Sequence, residues 1–211
     1  CASLVGSEMV TRDSPYTDED YFAYVDGKPR YNGVRDFFAS RGITLPEGDP
    51  SDGPAAQTIC GLGNRKNDLF NTVLARDGIQ PYPGSRRWVD RLHESGMAMA
   101  VVSSSRNAAA VLKAAGMVED FSVLVDGNRS KTERLPGKPA PDTYLRGAEL
   151  LGVPAEQCVV VEDAVSGVRA GAAGGFGMVL GVNRGVGADR LREAGADRVV
   201  DDLDEMVEEM A

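Results

Sequence analysis

Cys158-Val159-Val160-Val161-Glu162-Asp163-Ala164-Val165-Ser166-Gly167 is the stretch whose reading decides the fold. A short apolar run bounded by polar residues has the length of a buried strand rather than of a helix. Two adjacent carboxylates follow it, and helical spacing resumes over Ser166–Ala173. Carboxylates at the mouth of a buried strand are costly unless positive charge lies beside them, so this strand end is a place to look for chemistry. The same texture extends in both directions. Upstream, the spacing predicts helix over Trp88–Ser95, strand over Met97–Val102, helix over Asn107–Ala115, strand over Ser122–Val125 and helix over Pro141–Leu151. Downstream it predicts strand Met178–Leu180, helix Ala188–Ala194, strand Arg198–Val200 and helix Leu203–Met210. Short β-branched runs alternating with amphipathic helices make an α/β, doubly wound parallel sheet. In such sheets ligands bind beyond the carboxyl ends of the strands.

Before Pro81-Tyr82-Pro83-Gly84 the texture changes. Tyr21–Val25, Val34–Phe38 and Leu69–Leu74 carry apolar residues at helical spacing, and Leu45–Pro54 is a loop by its turn residues. Two domains are therefore expected: a helical one over residues 1–80 and an α/β one over residues 81–211. The chain of 211 residues is 42% hydrophobic and 26% charged, with 23 basic against 32 acidic side chains, a net charge of −9. That length supports a full core and that composition excludes intrinsic disorder. The acidic balance disfavours nucleic acid as a partner, and no apolar run approaches the roughly 18 residues of a membrane span. Cys1, Cys60 and Cys158 show no metal or disulfide spacing, which fits a reducing cytoplasm. Cys158 and Cys60 read as core thiols. His93, the single histidine, lies on a helix surface, so histidine catalysis is not expected. The acidic stretch Asp201–Glu209 reads as the solvated face of the last helix. The chain opens at Cys1-Ala2-Ser3 without an initiator Met or a signal-type apolar run. Between an acylated lipoprotein start and a start partway through a longer polypeptide, the second is expected.

Three strand ends carry candidate residues. After Met97–Val102 come Ser103, Ser104, Ser105, Arg106 and Asn107, hydroxyls and a guanidinium ahead of a helix, an arrangement suited to an anion. Capping of the helix by Ser105 or Asn107 is the plainer use of the same residues. Lys138 lies in Pro136-Gly137-Lys138-Pro139-Ala140-Pro141-Asp142, where prolines restrict the backbone just before a helix. Glu162 and Asp163 are hard oxygen donors of the kind magnesium takes, one or two at a time, together with phosphate oxygens and water. Helix capping by Asp163 is again the plainer use.

A strand-end Ser, a Lys in Gly-Lys-Pro-Ala-Pro-Asp and the acidic pair in Val-Glu-Asp-Ala-Val-Ser-Gly, in this order, resemble the haloacid dehalogenase (HAD) superfamily. The wording is closest to its β-phosphoglucomutase-like branch, through Tyr82-Pro83-Gly84, Ser103-x-Ser105-Arg106-Asn107 and Arg65-Lys66-Asn67-Asp68. The resemblance implies a Rossmann-like core, a helical cap domain and Mg²⁺-dependent phosphoryl transfer through an aspartyl phosphate. It also implies roles. Ser103 and Lys138 hold the transferring phosphoryl group, and Glu162 and Asp163 the metal. Arg30, with Ser105, Arg106 and Asn107, grips a second phosphate, and Lys66 binds the sugar. Asp26 departs from the branch, which has a Lys there; Lys28 is expected to substitute.

The family's first motif, Asp-x-Asp-Gly at the end of the first core strand, has no counterpart. Asp18-Glu19-Asp20 has the spacing but no apolar strand before it and no Gly after it. Thr17 or Asp18 starts a helix there, with acids in its first turn. A strand, a loop and part of a helix, on the order of 30 residues, are expected to lie upstream of Cys1 in the natural protein. A degenerate, non-catalytic member is the competing expectation. The expected activity is a β-phosphoglucomutase, glucose 1-phosphate to glucose 6-phosphate. A sugar-phosphate phosphatase comes second, and a non-catalytic phosphosugar-binding module third. The expected partner is a phosphorylated sugar, the expected cofactor Mg²⁺, and the expected state a cytoplasmic monomer with neither nucleic acid nor membrane.

Overall fold

The structure is a computed structural model and describes residues 15–209. The Cys1 start and the last residue of the expected helix Leu203–Met210 lie outside them. The chain divides into two compact units, with the boundary between Gly78 and Ile79.

The first unit is helical. A helical turn, α1 (Asp18–Asp20), leads into a π-helical stretch over Tyr21–Val25, then α2 (Arg30–Ser40) and α3 (Ile59–Asp77). Thr17 caps α1: its hydroxyl accepts from Asp20 N at 3.2 Å, and its own N–H and hydroxyl donate to Asp20 Oδ2 at 3.0 Å. Asp20 Oδ2 also accepts from Arg41 Nη2 at 2.5 Å. Burial would raise the Asp20 pKa, but these hydrogen bonds and the Arg41 charge hold it below the usual carboxylate range. Both Asp20 and its guanidinium are thus part of the packing, as a capping acid requires. Val34, Phe37 and Phe38 of α2 and Ile59 and Leu62 of α3 form the core, flanked by Tyr16, Tyr24, Val25, Tyr31, Ile43 and Leu45. Burying one such side chain contributes about 1.5–3 kcal/mol. The 45–54 loop is tied to the start of α3, where Ile59 N and Cys60 N donate to Pro46 O and Glu47 O. Gly48 turns there at φ +74°, and a Cβ on it would lie 2.2 Å from Asp52 Oδ2, so both its conformation and its space demand glycine.

The second unit is the α/β one. Its strands are β1 (Ala100–Val102), β2 (Val123–Val125), β3 (Val159–Glu162), β4 (Met178–Val182) and β5 (Arg198–Val200). Its helices are α4 (Pro83–Glu94), α5 (Ala108–Ala114), α6 (Gly127–Glu133), α7 (Asp142–Leu151), α8 (Val165–Ala173), α9 (Ala188–Glu193) and α10 (Asp204–Glu209). All pairings are parallel, as the alternation predicts. Among the described residues they form two ladders, β1-β2 and β3-β4-β5. Ala100 pairs with Val123, Val160 with Val179, and Leu180 with Arg198. β4, paired on both sides, has Val179, Leu180 and Val182 buried, whereas Val159 of β3 is 52% exposed. Helices cover the strands closely: a Cβ on Gly147 of α7 would lie 3.1 Å from Val102, and one on Gly171 of α8 3.1 Å from both Val160 and Val179.

Several expected bounds shift. The strand expected over Met97–Val102 begins only at Ala100, and Met97 is exposed, because Met97 N donates to Leu92 O at 3.0 Å and so closes the end of α4 rather than a ladder. The strand expected over Cys158–Val161 runs Val159–Glu162, so Cys158 is half-buried rather than a core thiol, while Cys60 is buried. Helix α6 was not expected. Its sequence, Gly-Asn-Arg-Ser-Lys-Thr-Glu, has no apolar stripe, and it is held by its N-cap, Asp126.

Candidate active site

Three features lie at the carboxyl ends of the second unit's strands. At the end of β1, Ser103 N donates to Val125 O at 2.9 Å, which continues the pairing with β2 one residue further. The chain then turns on its own hydroxyls: Ser103 Oγ accepts from Ser105 N at 3.2 Å, and Ser105 Oγ accepts from Asn107 N at 3.1 Å. Ser105 therefore shapes the entry to α5, as its capping reading has it, and both hydroxyls keep an O–H to donate. Arg106 lies in the same turn, and its carbonyl accepts from Asn128 Nδ2 at 3.1 Å.

That contact exposes a residue missed in the sequence. Asp126 follows β2 directly, is buried, and accepts from Asn128 N, Arg129 N and Asn128 Nδ2 at 3.0, 2.8 and 2.9 Å. Gly127 beside it approaches so closely that a Cβ there would lie 2.7 Å from Ser104 O. The β2 loop thus braces the Ser103–Asn107 turn. An acid directly after an apolar run was the signal used for Glu162, and Val123-Leu124-Val125-Asp126 carries the same signal.

At the end of β3, Lys138 and Glu162 come together. The Lys138 ammonium pairs with Glu162 Oε1, and both side chains are nearly inaccessible, at 5% and 10% exposure. Tyr144, on the first turn of α7, donates its hydroxyl to the same Oε1 at 2.7 Å, and Lys138 Nζ lies 4.8 Å from the centre of its ring. Glu162 Oε2 accepts from Asp163 N at 3.0 Å and Ala164 N at 2.9 Å. The carboxylate is folded beneath the first turn of α8, where a Cβ on Gly167 would stand 2.1 Å from Glu162 Cδ. Burial alone would push the Glu162 carboxyl up. The Lys138 charge and the hydrogen bonds from Lys138, Ala164 N and Tyr144 outweigh it and hold the pKa below the usual carboxylate range. Burial, then the Glu162 charge, drives the Tyr144 hydroxyl well above the usual tyrosine value.

This geometry corrects one expectation. Glu162 was expected as a metal ligand beside Asp163, yet both of its oxygens are occupied by protein donors, so it serves as the counter-charge of Lys138. Among the described residues no three His, Cys, Asp or Glu side chains gather as a metal cluster. Asp163, the other acid of the pair, follows β3 directly. One carboxylate suits magnesium only when phosphate oxygens and water complete the shell.

In the first unit, Arg30 opens α2, and α3 passes close to it: a Cβ on Gly63 would lie 2.8 Å from the Tyr31 ring and 3.2 Å from Arg30 Cγ. Arg30 Nη1 donates to Asn64 Oδ1 at 3.1 Å and Nη2 to Asn67 Oδ1 at 2.6 Å. Lys66, half-buried on α3, has its pKa lowered by burial and then by the Arg30 charge. The structure thus brings Arg30 and Lys66 into one cluster, as it does Ser103, Ser105, Arg106 and Asn107 into one turn. Lys28, expected to stand in for a lysine at 26, is engaged instead with Asp36 at 2.7 Å.

Residues 9–175 match the haloacid dehalogenase-like hydrolase family. A β-phosphoglucomutase of Mycobacterium bovis is 49% identical over 191 residues, covering 89% of this chain and 73% of its own length. Hexitol phosphatase A of Escherichia coli is 33% identical over 190 residues, covering 89% of this chain and 77% of its own. A β-phosphoglucomutase structure from Clostridium difficile shares the fold, with a TM-score of 0.74 at 20% identity over 92% of this chain and 81% of that one. With a family match over most of its length and a lysine paired to the acid that ends β3, the chain belongs to the haloacid dehalogenase-like hydrolases.

Proposed function

We propose that the protein catalyses phosphoryl transfer on a phosphorylated sugar and that its reaction is that of a β-phosphoglucomutase, glucose 1-phosphate to glucose 6-phosphate. The observation that carries this reading is the 49% identity to the β-phosphoglucomutase of M. bovis across 89% of the chain. The site chemistry agrees with it. Phosphoryl transfer is mostly positioning and charge stabilisation, and the described residues supply donors and cations at strand ends.

Lys138, fixed by Glu162 and the Tyr144 ring, offsets negative charge on the transferring phosphoryl oxygens with its remaining ammonium protons. Ser103 donates its hydroxyl to one of those oxygens, while the turn through Ser105, Arg106 and Asn107 sets its position. Arg30 grips the phosphate that is not transferred, and Lys66 donates to the sugar. Magnesium, when bound, supplies further polarisation of the phosphoryl group. Asp163 is the residue that would hold it, Glu162 being engaged. No described carboxylate is assigned as the nucleophile, since Asp20 is held by Thr17 and Arg41. The cytoplasm is the compartment this reading implies; among the described residues no helix is long and apolar enough to cross a membrane.

Identity to hexitol phosphatase A favours a second reading, hydrolysis of a sugar phosphate. A single assay separates the two. Incubation with β-glucose 1-phosphate and Mg²⁺ gives glucose 6-phosphate if the protein is a mutase. Release of glucose and inorganic phosphate in its place supports the phosphatase.

A further inference from the structure

Most arginines of the described chain sit on carboxylates: Arg35 on Glu47, Arg41 on Asp20, Arg86 on Asp120, Arg146 on Glu133, Arg184 on Asp202 and Arg198 on Glu209. Arg30 makes no ion pair among the described residues. Its two terminal nitrogens rest on amide oxygens, Asn64 Oδ1 at 3.1 Å and Asn67 Oδ1 at 2.6 Å. A neutral acceptor fixes the guanidinium fork without cancelling its charge, whereas a carboxylate would do both.

The Asn64 amide is itself immobilised. Its Nδ2 donates to Pro50 O at 3.1 Å and to Asp52 O at 2.8 Å, both in the loop ahead of α3. These carbonyls accept only, so they dictate which end of the amide faces them. Oδ1 must then point to α2, where it accepts from Arg30 Nη1 and, at 3.0 Å, from the Tyr31 hydroxyl. All four hydrogen-bonding positions of the side chain are filled. Aspartate has the same shape but would set a carboxylate oxygen against two carbonyl oxygens and a second charge against Arg30. Gly63 makes the arrangement possible by letting α2 approach α3.

We infer that Asn64 is a positioning residue: tied to the loop carbonyls, it holds Arg30 through a neutral acceptor, so that the guanidinium keeps its charge for a phosphate group of the substrate. The inference rests on the sugar-phosphate reading above and adds to it a residue that touches no substrate.

The test is titration calorimetry of the full protein with glucose 6-phosphate at about 50 and about 250 mM NaCl, comparing wild type with Asn64→Asp and Asn64→Ala. Asn64→Asp is expected to weaken binding roughly tenfold at low salt and to flatten its salt dependence, because the cluster loses one net positive charge. Asn64→Ala is expected to weaken binding by a smaller factor and to keep the wild-type salt dependence, since the charge stays but is no longer held. With β-glucose 1-phosphate, KM should rise in both variants by a larger factor than kcat falls. A purely structural role would lower the melting temperature without separating the two salt profiles. Wild-type affinity in Asn64→Ala, or equal salt dependence in all three proteins, overturns the inference. Should Asn64→Asp fail to fold, the affinity of Asn64→Ala alone decides. A wild type that binds glucose 6-phosphate with these variant effects but turns over no sugar phosphate refutes the reaction and leaves Asn64 in place. Turnover with unaltered variant binding refutes Asn64 alone, and a wild type that binds no sugar phosphate refutes both.

Discussion

Replacing Lys138 with methionine keeps the stem that packs on Tyr144 and removes the charge. Glu162 would then hold a carboxylate that is 10% exposed, hydrogen-bonded by Tyr144 and two backbone N–H groups but without a cation. Removing one partner of a buried ion pair costs about 3–5 kcal/mol. At about 2–4 °C per kcal/mol for a chain of this size, the melting temperature should fall by ~6–20 °C. The loss should belong to the stranded charge rather than to the lost contact. Glutamine at 162 keeps an oxygen for Asp163 N and Ala164 N and presents an amide to the Tyr144 hydroxyl. The double variant Lys138→Met/Glu162→Gln should therefore recover about 2 kcal/mol or more of the single variant's loss, within the range of coupling energies between contacting residues. Urea unfolding followed by fluorescence reports on this unit directly, because the chain has one tryptophan, Trp88, packed on the cluster of Leu180, Val182, Val200 and Leu203. A Lys138→Met protein within about 1 kcal/mol of wild type, or a double variant whose losses simply add, would refute the account of Glu162 as the lysine's counter-charge.

Three further outcomes follow from the same structure. Gly167→Ala sets a Cβ where the Glu162 carboxyl lies and should cost about 1–3 kcal/mol, read by the same urea titration; an unchanged midpoint would mean that Glu162 does not lie beneath α8. Mg²⁺ should enhance glucose 6-phosphate binding to the wild type in titration calorimetry, and Asp163→Asn should abolish that enhancement with the Trp88 unfolding curve unmoved; retention of the enhancement would place the metal elsewhere. The folded-state pKa of Asp20 is depressed, so its contribution is present above the ordinary carboxyl pKa of about 3.9 and is lost as pH falls through the lower folded value. Asn at 20 cannot titrate, so the stability gap between wild type and Asp20→Asn should be full at neutral pH and close in acid, by melting temperature across pH; a gap independent of pH would refute the Asp20–Arg41 assignment.

Much of this protein was legible along the chain. Alternation of short apolar runs with amphipathic helices determined a parallel α/β unit, because strand and helix periods differ and crossovers must cover both sheet faces. Polar residues placed directly after those runs, Ser103 and Glu162-Asp163, marked two strand ends, since position along the chain is enough to say where a strand stops; Lys138, separated from β2 by α6, was marked instead by the prolines around it. What each side chain touches was decided only by the tertiary structure. Glu162 and Asp163 are neighbours in sequence with the same chemistry, yet one is folded beneath α8 onto Lys138 and Tyr144, 24 and 18 residues away. The gap at Gly167 that admits it is a property of packing. Asn64 likewise reads in sequence as one more polar residue on a helix. Its use depends on two carbonyls of the preceding loop and a guanidinium on another helix, brought together by the close approach at Gly63. Local sequence sets hydrogen-bonding capacity and period, whereas the partners that fill that capacity come from distant segments and are fixed only when the elements pack.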